Sequence, residues 1–333
     1  MATMDDIARA LGITKGTVSK ALSGADDVSE AMRRTVVEKA VEMGYSRIAR
    51  SHAVKKICIF ILHMAYKKPD DFGYDVVIGF RKAAEPAGYR VDIIELDDAT
   101  QRSISYDEFM LRENYQGALI LGMMLSDPWL SCMQTCRTPA VLHDNRVRGN
   151  PAVADVGIDN DEGMHLAVSH LQSLGHRKIG YLSSGLRSYV YQQRYAAFFD
   201  ALRQSGLPHH SGLAASESHP ADCVRLHLPR LIDEGCTAIM CSHDQLAHEA
   251  MLCAAGLGKR IPQDLSFVGF DDIPLCRSTE PPLTTIRQDR SNLGRCAFSA
   301  LLNLITHVPI SMLLLHTDLI VRDSTDAPPS EQA

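Results

Sequence analysis

The sequence predicts an α/β protein, with an N-terminal three-helix helix-turn-helix head followed by a two-lobed body of doubly wound parallel sheets. Three observations carry this prediction. Residues 5–22, DDIARALGITKGTVSKAL, place two apolar sets at helical spacing on either side of a glycine. From Ile57 onward, short apolar strand-like runs alternate with helical stretches, as in parallel sheets covered by helices. These runs are too many for one core, and 156–160 reads as a crossing from one wound unit to a second.

In the head, Ile7, Ala8 and Leu11 form one helical face and Val18, Ala21 and Leu22 another. Between them Gly12 can take the positive φ of a helix C-terminus, Ile13 can fill the angle, and Thr14 can cap the next helix. The outer face of that second helix carries Lys15, Gly16, Thr17, Ser19 and Lys20, which, with Thr14, suit phosphates and base edges. No acid interrupts it. Spacing alone also allows an ordinary helical hairpin with a solvated face. Ser29 can cap a third helix, whose Met32, Val36, Ala40 and Met43 would close over the first two before Gly44 stops it. The head is thus expected over 1–45.

Residues 46–56, SRIARSHAVKK, contain no acid and read as a linker. They could span about 37 Å extended or about 16 Å as a helix. Charge follows the same division. Residues 1–56 carry net +3, which leaves −9 on the remainder of a chain of net −6. A basic head on an acidic body fits a DNA-binding unit joined to one that does not bind DNA.

In the body, strands are expected at 57–62, 90–96, 117–121, 140–143, 178–182, 237–241 and 265–270, and helices at 74–87, 161–174, 192–205 and 245–255. Ligands of such folds bind beyond the carboxyl ends of strands, so polar residues there are informative. Asp144, Ser183, Ser184, His243, Asp244, Asp271 and Asp272 all follow strands directly. Asp244 and Asp272 could equally cap turn or helix amides.

Several classes are disfavoured. No early segment has the basic and apolar pattern of a signal peptide, and no apolar run approaches a membrane span, so a cytoplasmic protein is expected. Nine scattered cysteines without a CxxC pair read as reduced thiols, and the fourteen histidines match no zinc spacing, so neither metal nor cofactor is expected. GxSxG, Walker A, GxGxxG and HExxH patterns are absent, and no catalytic residue is assigned.

The runs at 5–22, VSEAMRRTVVEKAVEMGY at 28–45, HLAVSHLQSLGHRKIGYL at 165–182, HDQLAHEAM at 243–251, IPQDLSFVGFDDIP at 261–274 and PPLTTIRQD at 281–289 resemble the lac and gal repressor family of bacterial transcription regulators. The resemblance implies a head that reads operator DNA and a body like periplasmic sugar-binding proteins over 57–324, with a tail at 325–333. Lobe 1 would comprise about 57–158 and 287–316, and lobe 2 about 159–286 and 317–324. It further implies a homodimer and a repressor sensing a sugar or related small metabolite. Lys15, Gly16 and Lys20 are carried onto base-reading positions, and Thr14, Thr17 and Ser19 onto phosphate contacts. Effector contacts fall on Asp144, Arg194, His243 and Asp271.

Two departures stand out. His243 replaces the family's usual Asn, so the effector's hydroxyl pattern would differ, or binding would respond to pH near the imidazole pKa. In the linker, where Arg47 and Arg50 are candidate DNA contacts, His52 occupies the place of a minor-groove leucine, and an imidazole replaces stacked bases poorly. A nucleoside or nucleobase effector, stacked on Tyr66, Phe72, Tyr189 or Tyr191, is the alternative, and control by a partner protein is another.

Overall fold

A computed structural model describes residues 2–23, 25, 27–45 and 55–329. The head is built as its local chemistry dictates. Thr3 Oγ1 accepts the Asp6 N–H at 3.2 Å while the Asp6 carboxylate accepts the Thr3 N–H at 2.9 Å, so a capping box starts α1 (Met4–Leu11). Gly12, at φ 67°, ends it in the left-handed region that favours glycine. Thr14 Oγ1 then accepts the Thr17 N–H at 3.1 Å and opens α2 (Lys15–Ser23). Ser29 caps Met32 and opens α3 (Glu30–Glu42). Ile7, Val18, Val36 and Ala40 are fully buried where the three helices meet. Met32 and Met43 pack at the margin.

By backbone contacts the chain divides into two compact units. The first holds Met1–Met64, Val77–Val156 and Gly294–Leu313, and the second Ala65–Val76, Gly157–Leu293 and Leu314–Ala333.

Beyond the head, the first unit is built on a six-stranded sheet. Its elements are β1 (Lys55–Ile61), α4 (Phe72–Ala84, whose first turn belongs to the second unit), β2 (Tyr89–Glu95), α5 (Asp98–Ser103), α6 (Tyr106–Glu113), β3 (Ala118–Leu121), α7 (Pro128–Cys132), β4 (Ala140–His143) and β5 (Val153–Ile158). A later strand, Met312–Leu315, lies at the edge beside β5, and the order runs from it through β5, β4, β3 and β1 to β2. The central strands read as unbroken apolar runs because helices cover both faces. On one face Phe60, Tyr106 and Trp129 meet edge to face at centroid distances of 5.1–6.4 Å. Their polar tips are satisfied, since Tyr106 Oη donates to the Pro139 carbonyl and Trp129 Nε1 to the Ile104 carbonyl, each at 2.8 Å.

The second unit repeats the plan with α8 (Asn160–Ser173), β6 (Ile179–Ser184), α9 (Tyr189–Gln204), β7 (Ala214–Glu217), α10 (Pro220–Asp233), β8 (Ala238–Cys241), α11 (Asp244–Gly256), β9 (Ser266–Asp271) and β10 (Thr284–Arg287). After α12 (Arg290–Ile305) and β11, the edge strand of the first sheet, β12 (Asp318–Ile320) pairs antiparallel with β10. The order is β12-β10-β9-β8-β6-β7, and every other pairing is parallel. Strands β5, β7, β10 and β11 were not expected from the sequence. The last three are only four residues long. The expected crossing at 156–160 coincides with the end of β5, the unit boundary falling between Val156 and Gly157.

Candidate functional site

Polar side chains converge at the carboxyl edge of the second unit's sheet. Strand β9 ends in Asp271 and Asp272, both at positive φ (115° and 52°), a conformation costly for residues with a Cβ. The turn sends their carboxylates to different partners. Asp271, 6% exposed, accepts a 2.6 Å hydrogen bond from Gln288 Nε2 beyond β10, and Arg194 Nη1 lies 3.5 Å from the same oxygen. Arg194 projects from α9 and is 2% exposed. Its Nε donates to Asn160 Oδ1 at 2.9 Å, its Nη1 donates to the Ser242 carbonyl at 2.6 Å, and its guanidinium carbon sits 3.7 Å from the Phe270 ring centroid. Nη2 makes no hydrogen bond among the described residues. The charge is therefore fixed by four groups while one edge of the fork stays available, an arrangement suited to paired hydroxyls or a carbonyl.

His243 adds an aromatic side to this edge. As N-cap of α11, its Nδ1 lies 3.3 Å from the Leu246 backbone nitrogen and 3.1 Å from Gln245 Oε1, and its Nε2 shares a 2.8 Å hydrogen bond with Ser184 Oγ. The Tyr191 ring stacks on the imidazole at 5.8 Å and 28°. Burial, joined by the Arg194 charge, pushes the imidazole pKa down to about 4. This burial favours the neutral imidazole through the ordinary histidine range.

The neighbouring acids divide as the capping alternative allowed. Asp244 Oδ2 accepts the Ile273 N–H at 3.0 Å and Oδ1 the Thr285 hydroxyl at 2.6 Å, so it braces the loop after β9. Gly269 makes room for it, since a Cβ there would lie 2.2 Å from Asp244 Oδ1. Asp272 is held by Arg322. Sequence reasoning missed Asn160 and Phe270 as partners of Arg194, and Gln288 as a partner of Asp271. Asn160 lay within the expected crossing, but nothing in its type or spacing set it apart.

With this geometry in view, likeness to known proteins is decisive. Residues 3–47 match the family described as bacterial regulatory proteins, lacI family, and residues 168–325 match the periplasmic binding protein-like domain. The chain thus combines a lacI-family helix-turn-helix domain with a periplasmic binding protein-like domain. The HTH-type transcriptional repressor CytR of Escherichia coli K12 is 29% identical to it, over 98% of this chain and 97% of the relative. Among solved structures, the transcriptional regulator CelR in complex with cellobiose has a TM-score of 0.69 at 24% identity, covering 97% of this chain and all of the other. The lac repressor dimer bound to operator and an anti-inducer has a TM-score of 0.68 at 24% identity, covering 98% and 99%.

The remaining candidates belong to the first unit. Asp144 belongs to the first unit, follows β4 at φ 51° and keeps 11% side-chain exposure beside His143. On the head, Thr14, Lys15, Gly16 and Lys20 are exposed and Thr17 and Ser19 half-buried. Both lysines have acidic partners that the linear pattern of α2 hid: Lys15 Nζ lies 2.7 Å from Asp5, and Lys20 pairs with Asp27. Such exposed pairs contribute about 0–1 kcal/mol and exchange readily for phosphate. Gly16 has space for a methyl group, whose nearest neighbour would be Thr14 Oγ1 at 3.6 Å. Arg47, Arg50 and His52 lie outside the described residues. No helix among the described residues is long and apolar enough to cross a membrane.

Proposed function

We propose that this protein is a ligand-responsive, sequence-specific DNA-binding transcription regulator, acting as a repressor that senses a sugar or related small metabolite. The observation that carries the reading is the Arg194–Asp271–Asn160–Gln288 network, built at the edge where α/β sheets bind ligands, on a chain that also has a helix-turn-helix. A carboxylate held by an amide and a guanidinium with one edge spare match a ring of hydroxyls, each of which both donates and accepts. In this reading Arg194, Asp271 and His243, with Asp144 from the first unit, contact the effector. Lys15, Lys20 and the α2 hydroxyls contact DNA.

A homodimer on a pseudo-palindromic operator is part of the proposal, supported by the likeness to a repressor that is a dimer on its operator. The protein acts in the cytoplasm and turns over no substrate, in keeping with relatives that are transcriptional regulators. Product formation from any candidate ligand would overturn that last point.

One observation favours a second effector class. The Tyr191–His243 stack gives a flat aromatic surface beside Arg194, and a nucleoside offers both a base to stack and ribose hydroxyls to bind. Calorimetric titration of sugars and nucleosides, followed by operator binding with and without the ligand that binds, tests both. Tight binding of a ligand that leaves operator affinity unchanged would remove the claim of ligand response.

A further inference from the structure

In the first unit, a second group of side chains gathers where three neighbouring strands end. β3, β1 and β2 are adjacent in the sheet, and the segments that follow them carry Asp127, His63 and Asp98. His63 Nε2 lies 3.0 Å from Asp127 Oδ1, and one nitrogen or oxygen from each of the three lies within 4.8 Å of the others. Asp127 is the anchor. Its side chain is 3% exposed, and although it occupies the N-cap position of α7, it makes no cap hydrogen bond. Its Oδ2 instead accepts the Met124 N–H at 2.8 Å, which turns Oδ1 toward His63.

A separate residue also points to a missing partner. Gln101, one turn beyond Asp98 in α5 and 4% exposed, accepts the Trp129 N–H through Oε1 at 3.2 Å. That contact sets its orientation, because an amide nitrogen cannot face another N–H. The carboxamide thus bridges α5 and α7, the helix of Asp98 and the helix that Asp127 precedes, and its Nε2 is buried with no partner among the described residues. A buried donor of this kind calls for an acceptor.

The geometry points to a divalent transition-cation site, of the class that accepts Zn²⁺, Co²⁺ or Mn²⁺. His63 Nε2 and one oxygen each from Asp98 and Asp127 are its protein ligands. One imidazole and two carboxylates suit a borderline cation, and the fourth and later positions of such a three-ligand protein set are filled by water or an external ligand. Ligands about 2.1 Å from one ion lie roughly 3–3.5 Å apart, so His63 and Asp127 already stand at the required spacing. Asp98 is exposed and holds Arg102 at 3.1 Å, a pair weak enough to yield when the carboxylate closes on the ion. A bound ion would tie together the segments after β1, β2 and β3.

The test uses the full chain, stripped with a chelator and titrated with Co²⁺, read by visible absorption, and with Zn²⁺, read by calorimetry. One ion per chain should bind with micromolar or tighter affinity. His63→Gln and Asp98→Asn should each weaken it by about 10-fold or more while leaving the metal-free circular dichroism and melting temperature unchanged. Equal uptake by the wild type and the His63→Gln/Asp98→Asn double variant would place binding at other histidines and overturn the site. So would no uptake by the wild type at about 100 μM cation, a level at which sites of this kind are filled.

Discussion

Replacing Arg194 by Met keeps a long apolar side chain over Phe270 but removes every polar contact of the guanidinium. Asn160 Oδ1 and the Ser242 carbonyl lose their donor, and the Asp271 carboxylate keeps Gln288 but loses its counter-charge. Leaving one member of a buried ion pair costs about 3–5 kcal/mol, and the two orphaned acceptors belong to the same loss rather than adding in full. A unit of this size shifts its melting temperature by about 2–4 °C per kcal/mol, so the second unit should melt roughly 6–20 °C lower. Arg194→Lys restores charge without the fork or the ring contact and should recover less than half of that. Thermal denaturation of the single variants, of Asp271→Asn and of the double variant completes a cycle, with a coupling of about 1–3 kcal/mol expected. If Arg194→Met melts within 2 °C of wild type, or the two substitutions add without coupling, the network does not hold the site together as described.

Other contacts carry expected outcomes of their own. Because the His243 pKa is lowered to about 4 from its ordinary 6.5, the unfolded chain binds the extra proton and the folded chain does not; the stability this contributes is complete above pH 6.5 and is lost as pH falls toward 4. His243→Asn should flatten that part of the melting profile, while ligand affinity of the wild type stays level from pH 6 to 8; an affinity midpoint near 6.5 would contradict a neutral His243. Asp27→Asn releases Lys20 and removes an acid beside the DNA face, so operator affinity should rise several-fold at low salt and less at high salt, measured by fluorescence anisotropy. Equal affinity at every salt concentration would show that Lys20 does not meet DNA. Gly269→Ala drives a Cβ into Asp244 and Leu283 and should cost about 2–4 kcal/mol in urea unfolding, since Asp244 must leave Thr285 or Ile273; a cost below about 0.5 kcal/mol would mean that this loop is not braced by Asp244.

Much of this was open to reading in one dimension because its physics is local. Capping at Ser29, the left-handed Gly12 and the helical spacing of Ile7, Val18 and Val36 depend on residues a few positions apart, and each stands in the structure where spacing placed it. Buried parallel strands such as β1 and β3 announce themselves as apolar runs. Asp271 and His243 were visible as polar residues ending such runs. The short strands β7 and β10 were not, because their residues pair through backbone groups that every sequence supplies.

What the sequence determined by itself was the class of each segment, a DNA-reading head and a doubly wound body, together with the residue types available at the strand ends. What only the tertiary structure decided was which of those residues act together. Arg194 finds Asn160, Ser242 and Asp271 across separations of 34, 48 and 77 residues. His63 likewise finds Asp127 across 64. Side-chain chemistry at these sites is set by burial and by neighbours brought from other strands. Neither is a function of position along the chain, which is why the sequence could name His243 at a strand end but not its contacts with Ser184, Gln245 and Tyr191.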